Sequence, residues 1–219
     1  NAKSNYKVSD EGLVLAMNFN SETITGTAGS ETVLDSSDYN NHGTNVGATH
    51  DPDGGFNGGG AFSFDGNDYV NAGTGASLNL TSILTVSVWV KSTKNNAALF
   101  QGIIGKANYA GSEVGYFISK RTDNKFYFQV GWASSYTRNE LSTYSNIAYT
   151  DNAWHHLVGV ILADGTHYLY VDGVQQTAHS GANTFLPVAS NIPLVIGTVY
   201  GDLYTAVNEM FSGLLDNAC

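Results

Sequence analysis

The chain has 219 residues, with 25 glycines, 13 tyrosines and 10 phenylalanines, and only 13% of it is charged. That composition excludes a helical bundle or coiled coil and suits an all-β fold, for which this length makes a single domain. Nineteen acidic residues against nine basic ones give a net charge of −10, which repels phosphate backbones and anionic lipid, so nucleic acid is excluded as a partner. The acidic excess fits solubility and leaves cation binding open. No run approaches the ~18 apolar residues that cross a membrane, so no membrane insertion is expected. The single cysteine, Cys219, cannot make an internal disulfide; a bridge to another chain, a reactive thiol and an added residue all stay open.

Residues 1–11 form a polar extension, and a single domain is expected over 12–219, beginning with the apolar strand GLVLAMNF. Residues 21–60 are dominated by Ser, Thr, Asn, Asp and Gly and end in GGFNGGG, which predicts an irregular excursion with short strands at most, of the kind that holds a metal or is flexible. In AFSFDGNDYVN (61–71), Phe62 and Phe64 share one strand face, and Asp65-Gly66 predicts a hairpin turn before Tyr69 and Val70. LTVSVWVK (84–91) alternates Val86, Val88 and Val90 with Ser87 and Trp89, so one face enters a core and the other carries a large aromatic. GYFISK, KFYFQVG, WHHLVGVIL, HYLYVDGVQQ, PLVIGT and MFSGLL follow. Short apolar runs spaced by roughly 8 to 20 residues and bounded by turn signals predict an antiparallel β-sandwich or jelly roll. The clearest hairpin is HYLYVDGVQQ, turning at Asp172-Gly173.

Taken in order, DSSDYNNHG (35–43), FDGNDYV (64–70), LTVSVWVK (84–91), DNAWHHLVGV (151–160) with LYVDGVQ (169–175), and FSGLLDN (211–217) resemble the laminin-G-like, concanavalin A-like jelly-roll family, from about Gly12 to Asn217. The resemblance implies two curved antiparallel sheets packed face to face with the first and last strands adjacent. It also implies a structural calcium where the loop after the first strand meets the last strand, with Asp35, Asn41 and Asp216 as ligands. Asn20 stands where family members often carry an acid, and its amide supplies an oxygen with less charge. Calcium takes six to eight hard oxygens, and this loop is rich in carboxylate, amide and carbonyl donors. The competing reading makes Asp35 an Asx-turn cap and Asp216 an exposed strand-end carboxylate.

His155 and His156 are adjacent, so on a strand they point to opposite faces and do not chelate one ion; one ring is expected inside with a hydrogen-bond partner and the other at the surface. Glycosidases and polysaccharide lyases share this sandwich. A retaining glycosidase needs two carboxyls about 5 Å apart, and no E-x-D or E-x-x-x-E strand is present. Arg138 and Glu140 in TRNELS (137–142) share a strand face and are faintly similar to the Arg-x-Glu strand of jelly-roll alginate lyases, whose partner motifs are not found.

Sugar recognition on sandwiches uses exposed aromatics that stack on a pyranose while polar groups meet its hydroxyls. Trp132, Tyr136 and Tyr144, interleaved with Arg138 and Glu140, are candidate ligand contacts, as are Tyr109, Tyr200 and Tyr204. The expectation is therefore a noncatalytic, extracellular or cell-surface carbohydrate-binding or adhesion module with calcium, its partner a glycan or a surface protein. The alternatives are a self-associating subunit of a filament joined by strand complementation, for which the last strand ending at DNAC leaves an edge open, and a polysaccharide lyase or glycoside hydrolase.

Overall fold

The computed structural model describes residues 11–95, 97, 100–107, 115–130, 142–180, 186–199 and 209–219. Among them there is no α-helix, only 3₁₀ turns at Ser21–Thr23 and Ala76–Leu78, and no helix long and apolar enough to cross a membrane. The turn-rich first quarter contributes only short strands: β1 (Ile24–Thr25), β2 (Thr32–Val33), β3 (Gly43–Val46) and β4 (Thr49–Asp51). There follow β5 (Ala61–Asp65), β6 (Tyr69–Asn71), β7 (Leu84–Ser92), β8 (Gln101–Lys106), β9 (Tyr116–Lys120), β10 (Phe126–Val130) and β11 (Ser142–Tyr144). The last are β12 (His155–Ile161), β13 (His167–Val171), β14 (Val174–Gln175), β15 (Ala178–Ser180), β16 (Val195–Ile196), β17 (Glu209–Met210) and β18 (Ser212–Asp216).

These strands form two sheets. The larger runs β1-β2-β3-β6-β16-β8-β9-β10-β11-β15, with β17 parallel to β8; the smaller runs β14-β13-β12-β7-β18-β5-β4. Period-two alternation decides which side each residue faces. Val86, Val88 and Val90 are buried while Ser87 and Trp89 are half-buried on the outer face, and β12 repeats the pattern with Leu157 and Ile161 inside and Val158 and Val160 outside. The two inner faces share one core that includes Phe19, Phe62, Phe64, Phe126, Phe128 and Phe211, each worth roughly 1.5–3 kcal/mol when fully buried. The sheets approach closely enough that a methyl group on Gly159 of β12 would lie 2.6 Å from the Phe128 ring of β10, so only glycine fits there.

Asp172-Gly173 turns β13 into β14 as predicted, both residues at positive φ and Val171 paired with Val174. FDGNDYV does otherwise. It is no hairpin: β5 pairs with β4 and β18 in the smaller sheet, whereas β6 pairs with β3 and β16 in the larger one. Asp65 Oδ1 accepts the Asn67 N–H (3.1 Å) and Asp68 Oδ2 accepts the Asp65 N–H (2.9 Å), building a corner that carries the chain across the sandwich. GLVLAMNF does not form the expected strand; its Met17 makes an isolated bridge to Ala218, which still sets this first apolar segment beside the end of the last strand, the adjacency the family resemblance implies. Asn217 takes φ 48° as a bulge before Cys219, whose backbone exchanges both hydrogen bonds with Ser87.

Candidate functional site

The four expected metal ligands fall into two pairs that no hydrogen bond joins. In the first, Asp35 Oδ1 accepts the N–H groups of Ala16 (2.7 Å) and Ser37 (2.9 Å), and Oδ2 accepts the Ser37 hydroxyl (2.6 Å) and the Asn41 N–H (2.8 Å). Asn41 donates its amide to Val14 O (2.7 Å) and Ser77 Oγ (2.9 Å). Both carboxylate oxygens are thus saturated by donors that fasten the DSSDYNNHG loop to the N-terminal segment at Val14 and Ala16.

The second pair meets on the Gly54–Gly60 loop. Asn20 Oδ1 accepts the Gly60 N–H (2.9 Å) and Asp216 Oδ2 the Phe56 N–H (3.1 Å). Asp216 is only 1% exposed and its Oδ1 has no hydrogen-bond partner. Burial pushes its carboxyl up to about 6, against the pull of the Phe56 N–H and of the neighbouring Asn217 backbone and side-chain N–H groups. The carbonyl oxygens of Gly59 and Gly60 converge with Asp216 Oδ2 around a point that a methyl on Gly55 would occupy, at 2.8, 2.6 and 2.9 Å. Among the described residues no three of His, Cys, Asp or Glu gather to hold a metal. A cation in this cradle would rest on one carboxylate, one amide and backbone carbonyls, an oxygen set that suits a hard ion such as calcium.

Tyr144 is the one expected ligand contact within the described residues; Tyr109, Trp132, Tyr136, Arg138, Glu140, Tyr200 and Tyr204 lie outside them. Register pairs it with Tyr127 of β10, and the two half-buried rings stack at 4.9 Å and 22°. Arg121 sits 4.4 Å over the Tyr127 ring and the Lys125 ammonium 5.2 Å from that of Tyr144. The Tyr127 hydroxyl donates to Asp123 Oδ2 at 2.9 Å, and burial followed by this bond drives its pKa well above the ordinary phenol value. Sequence reasoning missed Tyr127, Arg121 and Lys125. Alternation in KFYFQV already put Tyr127 on the face away from Phe126 and Phe128, but only strand pairing brings Tyr144 beside it.

On the other side of the sandwich the histidine pair divides as alternation requires. His155 is buried, with Nδ1 2.8 Å from Asp172 Oδ2 and Nε2 3.1 Å from Asp151 Oδ1. His156 lies on the outer face, where Nε2 meets Ser87 Oγ at 2.8 Å, and desolvation lowers its pKa against the opposing charge of Asp172. Beside it Trp89 stacks on Phe56 at 3.3 Å and 13° and on His156 at 4.8 Å and 24°.

A family model described as the concanavalin A-like lectin/glucanases superfamily matches residues 64–218. No curated protein matches the chain by sequence. Among solved structures, domain 4 of AbnA, an extracellular GH43 arabinanase from Geobacillus stearothermophilus in complex with arabinotriose, is 17% identical, with a TM-score of 0.68 over 94% of this chain and 89% of that one. The binding domain of Paraclostridial Mosquitocidal Protein 1 is 16% identical at TM-score 0.62, over 95% and 48%. Trypanosoma rangeli sialidase is 15% identical at 0.63, over 95% and 30%. The chain therefore spans about half of the toxin domain and under a third of the sialidase, and at these identities the likeness is one of fold.

Proposed function

The chain belongs to the concanavalin A-like lectin/glucanase superfamily, and from that membership we propose that it is a noncatalytic, extracellular carbohydrate-binding or adhesion module with a structural calcium site. The superfamily holds catalytic chains and binding domains alike, so the reading rests on local chemistry. One observation carries it: the stacked Tyr127–Tyr144 pair, flanked by Arg121, Lys125 and Asp123. Half-exposed aromatic rings offer a flat surface to the apolar face of a sugar, and adjacent cations and a carboxylate meet its hydroxyls or an acidic substituent. The likeness to a domain crystallised with arabinotriose is in keeping with this. Asp151 and Asp172, which flank His155, are engaged in holding that buried ring, a structural use in keeping with a noncatalytic role.

Calcium suits this corner because Asp216 sets Oδ2 beside the Gly59 and Gly60 carbonyls while its buried Oδ1 has no hydrogen-bond partner, which costs several kcal/mol in the absence of a counterion. Asp216 and Asn20 would hold the ion with the Gly59 and Gly60 carbonyls, and the ion would neutralise Asp216 and tie the Gly54–Gly60 loop to the last strand. A glycan array probed with the calcium-loaded chain tests the binding function. At least one oligosaccharide is expected to bind, with Tyr144→Ala weakening it about tenfold, ~1.4 kcal/mol. An array without a binder sinks the reading.

A further inference from the structure

We infer that the outer face of the smaller sheet carries a second binding site, for an uncharged saccharide unit, in the cavity floored by Ser87, Trp89 and His156. The saccharide class rests on the carbohydrate-binding reading; the site rests on geometry of its own. The cavity is about 590 Å³, within the range of small-ligand pockets. Strand register builds its floor. Trp89 of β7 stands opposite His156 of β12 on one side and Asp216 of β18 on the other, and the bulge at Asn217 brings Cys219 level with Ser87.

The lining chemistry selects the ligand. No charged side chain lines the cavity in a chain of net charge −10, and burial holds His156 toward its neutral form. Leu13 and Met17 supply apolar wall, while Asn18, Ser36, Ser87 and Asn217 supply neutral hydrogen-bonding groups. An anion would meet no cationic side chain there, and a cation no side-chain carboxylate. A neutral ring with one apolar face and hydroxyls on its edge satisfies both parts of the wall.

Trp89 is not core filling. The inner side of β7 is occupied by Val86, Val88 and Val90, and the indole lies half-buried on the outer face with its N–H making no hydrogen bond in the described structure. Phe56 holds one side of it, and the backbone N–H of the same Phe56 bonds Asp216. The loop of the proposed calcium cradle therefore also fixes the aromatic wall of the cavity.

Cys219, the only cysteine in the chain, is exposed and lines the cavity; desolvation raises its thiol pKa against the pull of a Ser87 hydrogen bond, so its alkylation, run at alkaline pH, reports on occupancy. The experiment probes an array of neutral and acidic oligosaccharides with the unmodified chain, the chain alkylated at Cys219 with N-phenylmaleimide, Ser87→Leu and Tyr144→Ala, each checked by melting. Neutral oligosaccharides are expected whose binding falls at least tenfold on alkylation and in Ser87→Leu but persists in Tyr144→Ala. At saturation the same sugars should slow Cys219 alkylation several-fold, while Cys219→Ser treated with the reagent binds normally. Neutral binding indifferent to the plug, a thiol unprotected by bound sugar, or loss confined to acidic sugars overturns the site. If binding then depends on Tyr144 alone, the carbohydrate reading stands and only the cavity falls; if no sugar binds the unmodified chain, both fall.

Discussion

Asp35 and Asp216 are both buried aspartates where loops meet strands, and their hydrogen bonding is opposite. Asp35 receives four donors across its two oxygens; Asp216 receives the Phe56 N–H on one oxygen, and the other is left without a partner. The first is a structural staple, complete as it stands. The second leaves Oδ1 unpaired and sets Oδ2 beside the Gly59 and Gly60 carbonyls, an arrangement that is costly alone and favourable around a cation. Burial and residue type are the same, so donor count separates a completed turn from the proposed metal site.

The largest effect should come from breaking the staple. Asp35→Ala leaves the buried N–H groups of Ser37 and Asn41, and the partly buried one of Ala16, without an acceptor. Urea unfolding in chelator should show a loss of about 3–4 kcal/mol, the same with calcium present. A smaller but cation-dependent change is expected at the cradle. Calcium at a hundredfold excess over its dissociation constant should stabilise the stripped chain by about 2.7 kcal/mol, and Asp216→Asn should abolish that gain while costing the calcium-free chain nothing. Asn20→Asp adds a second carboxylate and should tighten calcium about tenfold, or ~1.4 kcal/mol; unchanged affinity would move Asn20 out of the site.

Lys120 sharpens the comparison from the cationic side. It is buried, yet its ammonium donates to Ser92 Oγ (3.1 Å) and Asn95 Oδ1 (2.7 Å). Desolvation lowers its pKa to about 8, with Asp151 opposing. Between that value and the ordinary lysine value the unfolded chain binds more protons than the folded one, so stability should rise as pH increases from about 8 to about 10. Below pH 8 the burial penalty is present in full. Unfolding midpoints at pH 7.5 and 9.5 should show this rise, and Lys120→Met should flatten it.

Most of the sandwich was legible because period-two alternation reports directly on burial. LTVSVWVK, KFYFQV and HYLYV sit on the faces their patterns assign. FDGNDYV misleads for a physical reason: an Asp-Gly turn sets local backbone angles but does not say which sheet the next strand joins. That choice is made by β3, β16 and β18, strands distant in sequence. Asn20 and Asp216 were named through the family resemblance, yet the Gly54–Gly60 loop that unites them works through backbone N–H and C=O groups, which leave no side-chain signature. The Phe56–Trp89 and Tyr127–Tyr144 stacks likewise arise from pairings that no local pattern encodes.

The opposition between the two aspartates is tested most directly by calorimetric titration of calcium into the chelator-stripped chain, with Asp35→Asn and Asp216→Asn alongside. One site is expected in the unmodified chain, retained in Asp35→Asn and lost in Asp216→Asn. No binding heat in the unmodified chain, or a site that vanishes with Asp35→Asn and survives in Asp216→Asn, would contradict the assignment.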